Sequence, residues 1–251
     1  MITKLELDKL VEKYETADFI KDDPIQFLHK GNSREEIELY GFISSIFAYG
    51  NRIAFIKKLD ELYKLTDYKI FDYIKAGDFS NLKNLQYRFY KNEDILELLK
   101  ILSILYNENE NLKSLFKYAF ENTKEINLDF FKIIIDYFYS RTSLKSSRGF
   151  NHMFPNPENG GAMKRLNMFL RWMVRKSPVD LGIWDFIKPH NLLIPLDVHV
   201  ARVSRNMGLL TRKSNDFKAV LELTNNLKKY CEKDPIKYDF AIFSFGVKSN
   251  K

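Results

Sequence analysis

Cysteine is nearly missing from this chain: Cys231 is the single thiol among 251 residues. One thiol makes no internal disulfide, no zinc knuckle and no iron–sulfur cluster, and such scarcity fits a reduced compartment. Histidine is sparse as well. His29, His152, His190 and His199 show no ligand spacing with Cys, Asp or Glu, so neither a metal nor another cofactor is expected. Long apolar runs are absent: none approaches a membrane span, and the residues after Met1 lack the apolar stretch of a secretory leader. The expectation is a cytoplasmic protein with no membrane partner. No glycine-rich loop of the NTPase type and no dinucleotide fingerprint occurs, and no serine or cysteine triad can be assembled. Period-two alternation with hairpin turns is missing too, which argues against sheets.

What fills the chain is helical periodicity. Ser33-Arg34-Glu35-Glu36 reads as a capping box before the apolar positions Ile37, Tyr40, Ile43, Ser44 and Phe47. Ile95, Leu98, Leu99, Leu102 and Leu105 form a stripe; so do Leu112, Leu115, Phe116, Ala119 and Phe120, and then Phe131, Ile134, Ile135 and Phe138. Asp234-Pro235 reads as an N-cap with proline at the first helical position, opening a last helix through Phe245. The fold class is all-α, with about a dozen helices of ordinary length. Ser140 to Gly161, rich in Ser, Asn, Pro and Gly, reads as one long irregular loop, and such loops inside helical domains are usually functional. Trp172 and Trp184 are expected in the core or at a lobe interface.

The charge is uneven. The net value is +7, yet Arg141 to Lys213 holds thirteen Lys/Arg against four acids, an excess of nine that leaves −2 for the remainder. Such a local excess suggests a polyanionic partner, with nucleic acid the default.

Two short segments carry candidate chemistry. Pro195-Leu196-Asp197-Val198-His199-Val200-Ala201-Arg202-Val203 places a carboxylate at the start of an apolar helix with a basic outer face. Aspartate there accepts the free N–H groups of the first turn, and the helix dipole favours its charge. Asn159-Gly160-Gly161-Ala162-Met163-Lys164-Arg165-Leu166 leads into a second amphipathic helix. Two glycines at a helix start let backbone approach a ligand, and the free N–H groups there suit a DNA phosphate.

Together these segments resemble the helix-hairpin-helix DNA glycosylases. Gly160-Gly161-Ala162-Met163-Lys164 looks like the end of that family's hairpin, where a glycine precedes the catalytic lysine by four positions. Pro195 to Val200 looks like its aspartate segment, in the right order and 33 residues after Lys164. That separation is closest to the archaeal enzymes that excise oxidised guanine. Glu38 to Tyr63 is similar to the early helix pair, and Asp239 to Gly246 to the penultimate helix. Lys164 to Lys176, followed by Val179 to Trp184, looks like a bacterial family of uncharacterised proteins placed near that superfamily. The chain departs from the pattern in three places. Phe154-Pro155-Asn156-Pro157-Glu158-Asn159 stands where the Leu-Pro-Gly-Val-Gly hairpin is usual, Tyr49-Gly50-Asn51-Arg52 lacks the frequent wedge glutamine, and there are no cluster cysteines.

The resemblance implies two helical lobes with a cleft between them, one spanning 36–185 and the other 1–35 with 186–251. It implies a monomeric DNA-repair glycosylase with AP-lyase activity, acting on a modified base in damaged duplex DNA. Lys164 would be the nucleophile, attacking once its amine is neutral. Asp197 would stabilise the charge developing on the sugar. The target base would be extruded from the stack. The expected DNA contacts are Gly160, Gly161, Arg165, Arg148, His199 and Arg202, with Asn51 and Arg52 placed to fill the gap left by the extruded base; His152 joins Arg148 in the loop. Two other readings stand beside it: a non-catalytic DNA- or RNA-binding protein of the same fold, and a helical scaffold whose basic face binds an acidic protein.

Overall fold

A computed structural model describes residues 2–248. Among these residues the regular structure is helical, with twelve α-helices and isolated bridges in place of strands. The all-α class therefore holds. No helix among them is long and apolar enough to cross a membrane. The chain divides into two compact units, Gln26–Pro157 and Met1–Ile25 with Glu158–Lys251. The lobes expected from sequence changed over at 35/36 and 185/186; the compact units change over at 25/26 and 157/158, so the segment 158–185 belongs with the chain ends.

In the second, chain-end unit the helices are α1 (Lys4–Tyr14), α9 (Lys164–Val174), α10 (Val198–Asn206), α11 (Phe217–Lys228) and α12 (Asp239–Lys248). The intervening unit holds α2 (Arg34–Phe47), α3 (Arg52–Leu65), α4 (Ile70–Ala76), α5 (Asn92–Asn107), α6 (Leu112–Thr123), α7 (Leu128–Arg141) and α8 (Arg148–Met153).

The unit Gln26–Pro157 is built on aromatic stripes. Ile95, Leu98, Leu99, Leu102 and Leu105 of α5 and Phe131, Ile134, Ile135 and Phe138 of α7 are buried, as are Leu112, Leu115, Phe116 and Ala119 of α6. Phe42, Phe138 and Phe154 stack nearly parallel, with ring centroids 5.4 Å apart for the first two and 4.2 Å for the last two. Burial of each such ring contributes about 1.5–3 kcal/mol. Ser33 caps α2 as expected, its Oγ accepting from the Glu36 amide at 3.1 Å. The Glu36 carboxylate accepts from Asn32 N at 2.7 Å, one residue before the cap, so the box closes one residue early.

The expected loop Ser140–Gly161 is shorter than its composition suggests. It contains α8 and a 3₁₀ turn at Pro157–Asn159. Local propensity does not make α8; tertiary contact does. Ser147 Oγ donates to Asp94, and a Cβ at Gly149 would stand 2.1 Å from Asp94 Oδ2 and 2.6 Å from the Phe89 carbonyl. Only glycine allows that approach.

In the chain-end unit, α12 packs along α10 and α1. His199 meets Phe243 edge-on at 6.0 Å, and Val203 closes on Gly246, where an added Cβ would stand 2.7 Å from Val203 Cγ2. His199 to Val203 thus tracks Phe243 to Gly246. The helices run in the same direction, and their N-terminal residues, Asp197 and Asp239, lie at one end. The last helix begins later than the sequence indicates: Pro235–Tyr238 is a 3₁₀ turn, and α12 starts at Asp239. Asp234 is not its cap. Its carboxylate accepts from Arg175 Nε at 2.8 Å, a charged partner stronger than an amide.

Candidate functional site

Asp197 is the N-cap of α10, and it performs that role with one oxygen. Oδ1 accepts from His199 N and Val200 N, both at 2.8 Å. Oδ2 has no hydrogen-bond partner among the described residues, and the side chain is half-buried. The cap therefore fixes the orientation of the carboxylate and leaves a second oxygen for a ligand. The next side chain, Val198, is 67 % exposed.

A second carboxylate lies behind it. Asp239 is buried, and Oδ2 accepts from Arg171 Nη1 at 2.6 Å. Oδ1 has no partner. Burial pushes the Asp239 carboxyl up to about 6; Arg171 pulls it down, while the charges of Asp197 and Asp180 push it further up. The two carboxylates sense each other, as the parallel packing of α10 and α12 requires.

Arg171 carries this site to α9. Its Nε and Nη2 grip the Asp180 carboxylate at 3.2 and 3.0 Å. One turn further, Arg175 bonds Asp180 at 2.6 Å, Asp234 and Glu15. Burial opposes the charge of both guanidiniums, but the surrounding carboxylates outweigh it and hold each proton more firmly than usual. Removing one member of such a cluster strands a buried charge, which makes the arrangement rigid. The ion pairs also correct the charge reading. Arg171 and Arg175 are 3 % and 4 % exposed and serve the interior. Arg205 donates to the carbonyls of Arg212 and Lys213, and Arg212 pairs with Asp216 at 2.5 Å.

Lys164 opens α9, half-buried and seven residues before Arg171, about 10 Å along the helix axis. The backbone just before it is strained: Met163 has φ +48°, and no side chain caps the helix. Strain of this kind costs about 1–3 kcal/mol and gathers at functional sites. The double glycine is tied down differently from the expected ligand loop. The Gly160 carbonyl accepts from Phe217 N at 2.8 Å, and Gly161 bridges to Asp216. Gly160 itself needs its freedom, with φ +66°.

The remaining expected contacts scatter. Arg165 is half-buried beside Lys164. His199 packs on Phe243, and Arg202 Nη2 donates to the Gly246 carbonyl at 2.8 Å, which holds that guanidinium on α12. Asn51, Arg52, Arg148 and His152 belong to the other unit. Asn51 caps α3 through Oδ1, which accepts from Ala54 N at 3.1 Å. Arg148 is exposed with its guanidinium 4.1 Å above Phe89. Trp172 and Trp184 are buried, as expected.

Sequence reasoning missed Asp239 and Arg171. The available signal was two arginines four apart, Arg171 and Arg175, embedded among Leu170, Trp172, Met173 and Val174. Charges in such a setting imply buried partners.

The profile of one family matches residues 23–248, and its description is protein of unknown function (DUF2400). The chain belongs to this family. No curated protein and no solved structure matches it. Within this DUF2400 protein the match covers Lys164, Asp197 and Asp239 together with both arginines of the buried cluster.

Proposed function

We propose that this protein is a DNA N-glycosylase with AP-lyase activity that excises a modified base. The observation that carries the reading is the divided role of Asp197, one oxygen held by the α10 amides and the other unpartnered. A carboxylate fixed in this way stabilises positive charge developing on a deoxyribose without having to reorganise. The lysine at the head of α9 supplies the nucleophile. Its neutral amine attacks the sugar C1′, the N-glycosidic bond breaks, and the base departs with a proton taken from solvent. The attached amine then loses a proton to solvent, the C1′–O4′ bond opens with O4′ taking up a proton, and a protonated Schiff base is left at C1′. Loss of the acidified C2′ proton to solvent expels the 3′-phosphate by β-elimination and cuts the strand. The buried Arg171–Asp239 pair supports this geometry by tying α9 to α12, which carries α10 alongside it.

Borohydride trapping tests the reading. The protein is incubated with duplexes carrying oxidised, deaminated or abasic sites and then reduced. The expected result is a covalent adduct with at least one substrate, lost in Lys164→Ala and reduced at least tenfold in Asp197→Asn. No adduct on any substrate, or an adduct unchanged in Lys164→Ala, would overturn it.

A further inference from the structure

The unit Gln26–Pro157 carries a built surface that the Lys164–Asp197 chemistry does not use. Tyr87 and Tyr90 exchange two backbone hydrogen bonds of 2.8 Å, closing a two-residue turn with Arg88 and Phe89 at its tip. Arg88 has φ +52°, at a position where glycine is the residue expected. The turn is held from below by Tyr49, whose hydroxyl donates to the Tyr87 carbonyl at 2.9 Å and accepts from Phe89 N at 3.1 Å. Gly50, with φ +79°, makes room for Arg88: a Cβ there would stand 2.2 Å from its Nη1.

The rings form a short ladder. Tyr49 and Phe89 lie within 12° of parallel with centroids 6.2 Å apart, and His152 fills the space beside them at 4.4 Å from Tyr49 and 5.2 Å from Phe89. His152 is itself fixed by a 3.1 Å hydrogen bond to the Tyr90 hydroxyl. The Arg148 guanidinium lies 4.1 Å over Phe89, and Arg88 stands 5.5 Å from Tyr49 and 5.9 Å from Phe89. Arg88 and Arg148 are both exposed, and neither forms an ion pair among the described residues. Asp94, which lies against Gly149, is buried and engaged by Lys91 N and Ser147. Ile53, just beyond Gly50 in the chain, is 79 % exposed.

We infer that this ladder is a stacking site for an unpaired nucleobase of a DNA single strand, with Arg148 as the stacking face and Arg88 on the adjoining phosphate. A guanidinium held 4.1 Å over a ring offers its outer side to a base, and single-stranded nucleic acid is read by stacking planes with cations along the backbone. Duplex bases already stack on one another and leave no face to offer. An acidic peptide would use the two charges but have no use for the rings beside them. The inference rests on the nucleic-acid part of the reading above, and on neither Lys164 nor Asp197.

The test compares the full-length protein with Arg148→Lys, Arg148→Ala and Arg88→Gly on fluorescein-labelled oligothymidine, on the same strand paired with oligoadenosine, and on a single strand containing 2-aminopurine. Arg148→Lys keeps the charge and removes the plane. It is expected to weaken single-strand binding about five- to a hundredfold, the range for losing one stacked base, and to change duplex binding less than about twofold. Wild type is expected to change 2-aminopurine emission on binding, and Arg148→Lys and Arg148→Ala to leave it as in the free strand. Arg88→Gly relieves the backbone and leaves Tm equal or higher, while single-strand affinity falls; this separates a binding role from a folding one. Arg148→Lys binding single strands like wild type would overturn the inference, as would equal losses on duplex and single strand. If trapping fails while Arg148→Lys behaves as expected, the glycosylase reading falls and the stacking site stands; if trapping succeeds and Arg148→Lys matches wild type, the reverse holds.

Discussion

At the scale of single residues, the two carboxylates at the heads of α10 and α12 behave differently. Asp197 is an N-cap, and capping is worth about 1 kcal/mol over alanine, with asparagine nearly as good. Asp197→Ala should therefore lower the unfolding free energy from urea titration by about that amount, while Asp197→Asn stays close to wild type in stability; both should lose adduct formation. A stable Asp197→Asn protein that still traps DNA would reduce this residue to a cap. Asp239 makes a prediction about pH. Burial holds its folded carboxyl at about 6 against an ordinary 3.8. Between those values the folded protein binds a proton that the unfolded chain releases. The stability Asp239 contributes is full below about pH 4 and is lost as pH rises through 6, by an amount on the order of 3 kcal/mol. Around it stand Arg171, Asp180 and Asp197, whose charges set this balance. Subtracting the unfolding free energy of Asp239→Asn from that of wild type cancels the other carboxylates. The difference should fall between about pH 4 and about pH 7, and a flat difference would place the proton elsewhere.

At the scale of elements, the register of α10 on α12 is the feature that positions Asp197. It is fixed where Gly246 meets Val203, a contact with no room for a side chain. Gly246→Ala gains about 1 kcal/mol of helix propensity and loses about 1–3 kcal/mol to overpacking, so a lower urea midpoint is expected. Val203→Ala should be better tolerated in the Gly246→Ala background than in wild type, because it empties the colliding volume. Additive effects in that double-mutant cycle would show that the two positions do not share the contact. How legible these elements were varied with their cause. The stripes of α5, α6 and α7 were plain in the sequence because each helix buries one face by itself. The short helix α8 was hidden, since Gly149 and Asn151 are poor helix formers and the contact with Asp94 makes the segment helical. The start of α12 was misplaced because Asp234, a good cap by type, is drawn instead to Arg175.

At the scale of the whole molecule, the excess of thirteen basic residues over four acids between Arg141 and Lys213 overstates what a polyanion would meet. Arg171 and Arg175 are inside, and Arg202, Arg205 and Arg212 are engaged by carbonyls or Asp216. Duplex binding should accordingly show a salt slope of only a few phosphate contacts, each contributing roughly 0.9 to the log–log slope. A fluorescence titration from low to moderate salt checks this. A slope near ten would mean that the internal pairs open on binding, and a flat one would favour an acidic protein as the partner.

The sequence by itself determined the helical class, the buried stripes and the identity of Asp197 as a cap, because these depend on neighbours within a turn or two along the chain. The resemblance of the segment Gly160 to Lys164 to a glycosylase hairpin end marked Lys164 as a residue to test. Only the tertiary structure decided which oxygen of Asp197 is left unpartnered, that Asp239 senses its charge, and that five of the thirteen basic residues between Arg141 and Lys213 are engaged internally. It also brought Tyr49, Phe89, Arg148 and His152 into one ladder. These are contacts between residues tens of positions apart, set by packing and by the cost of leaving a buried charge unpaired, and no local pattern records them.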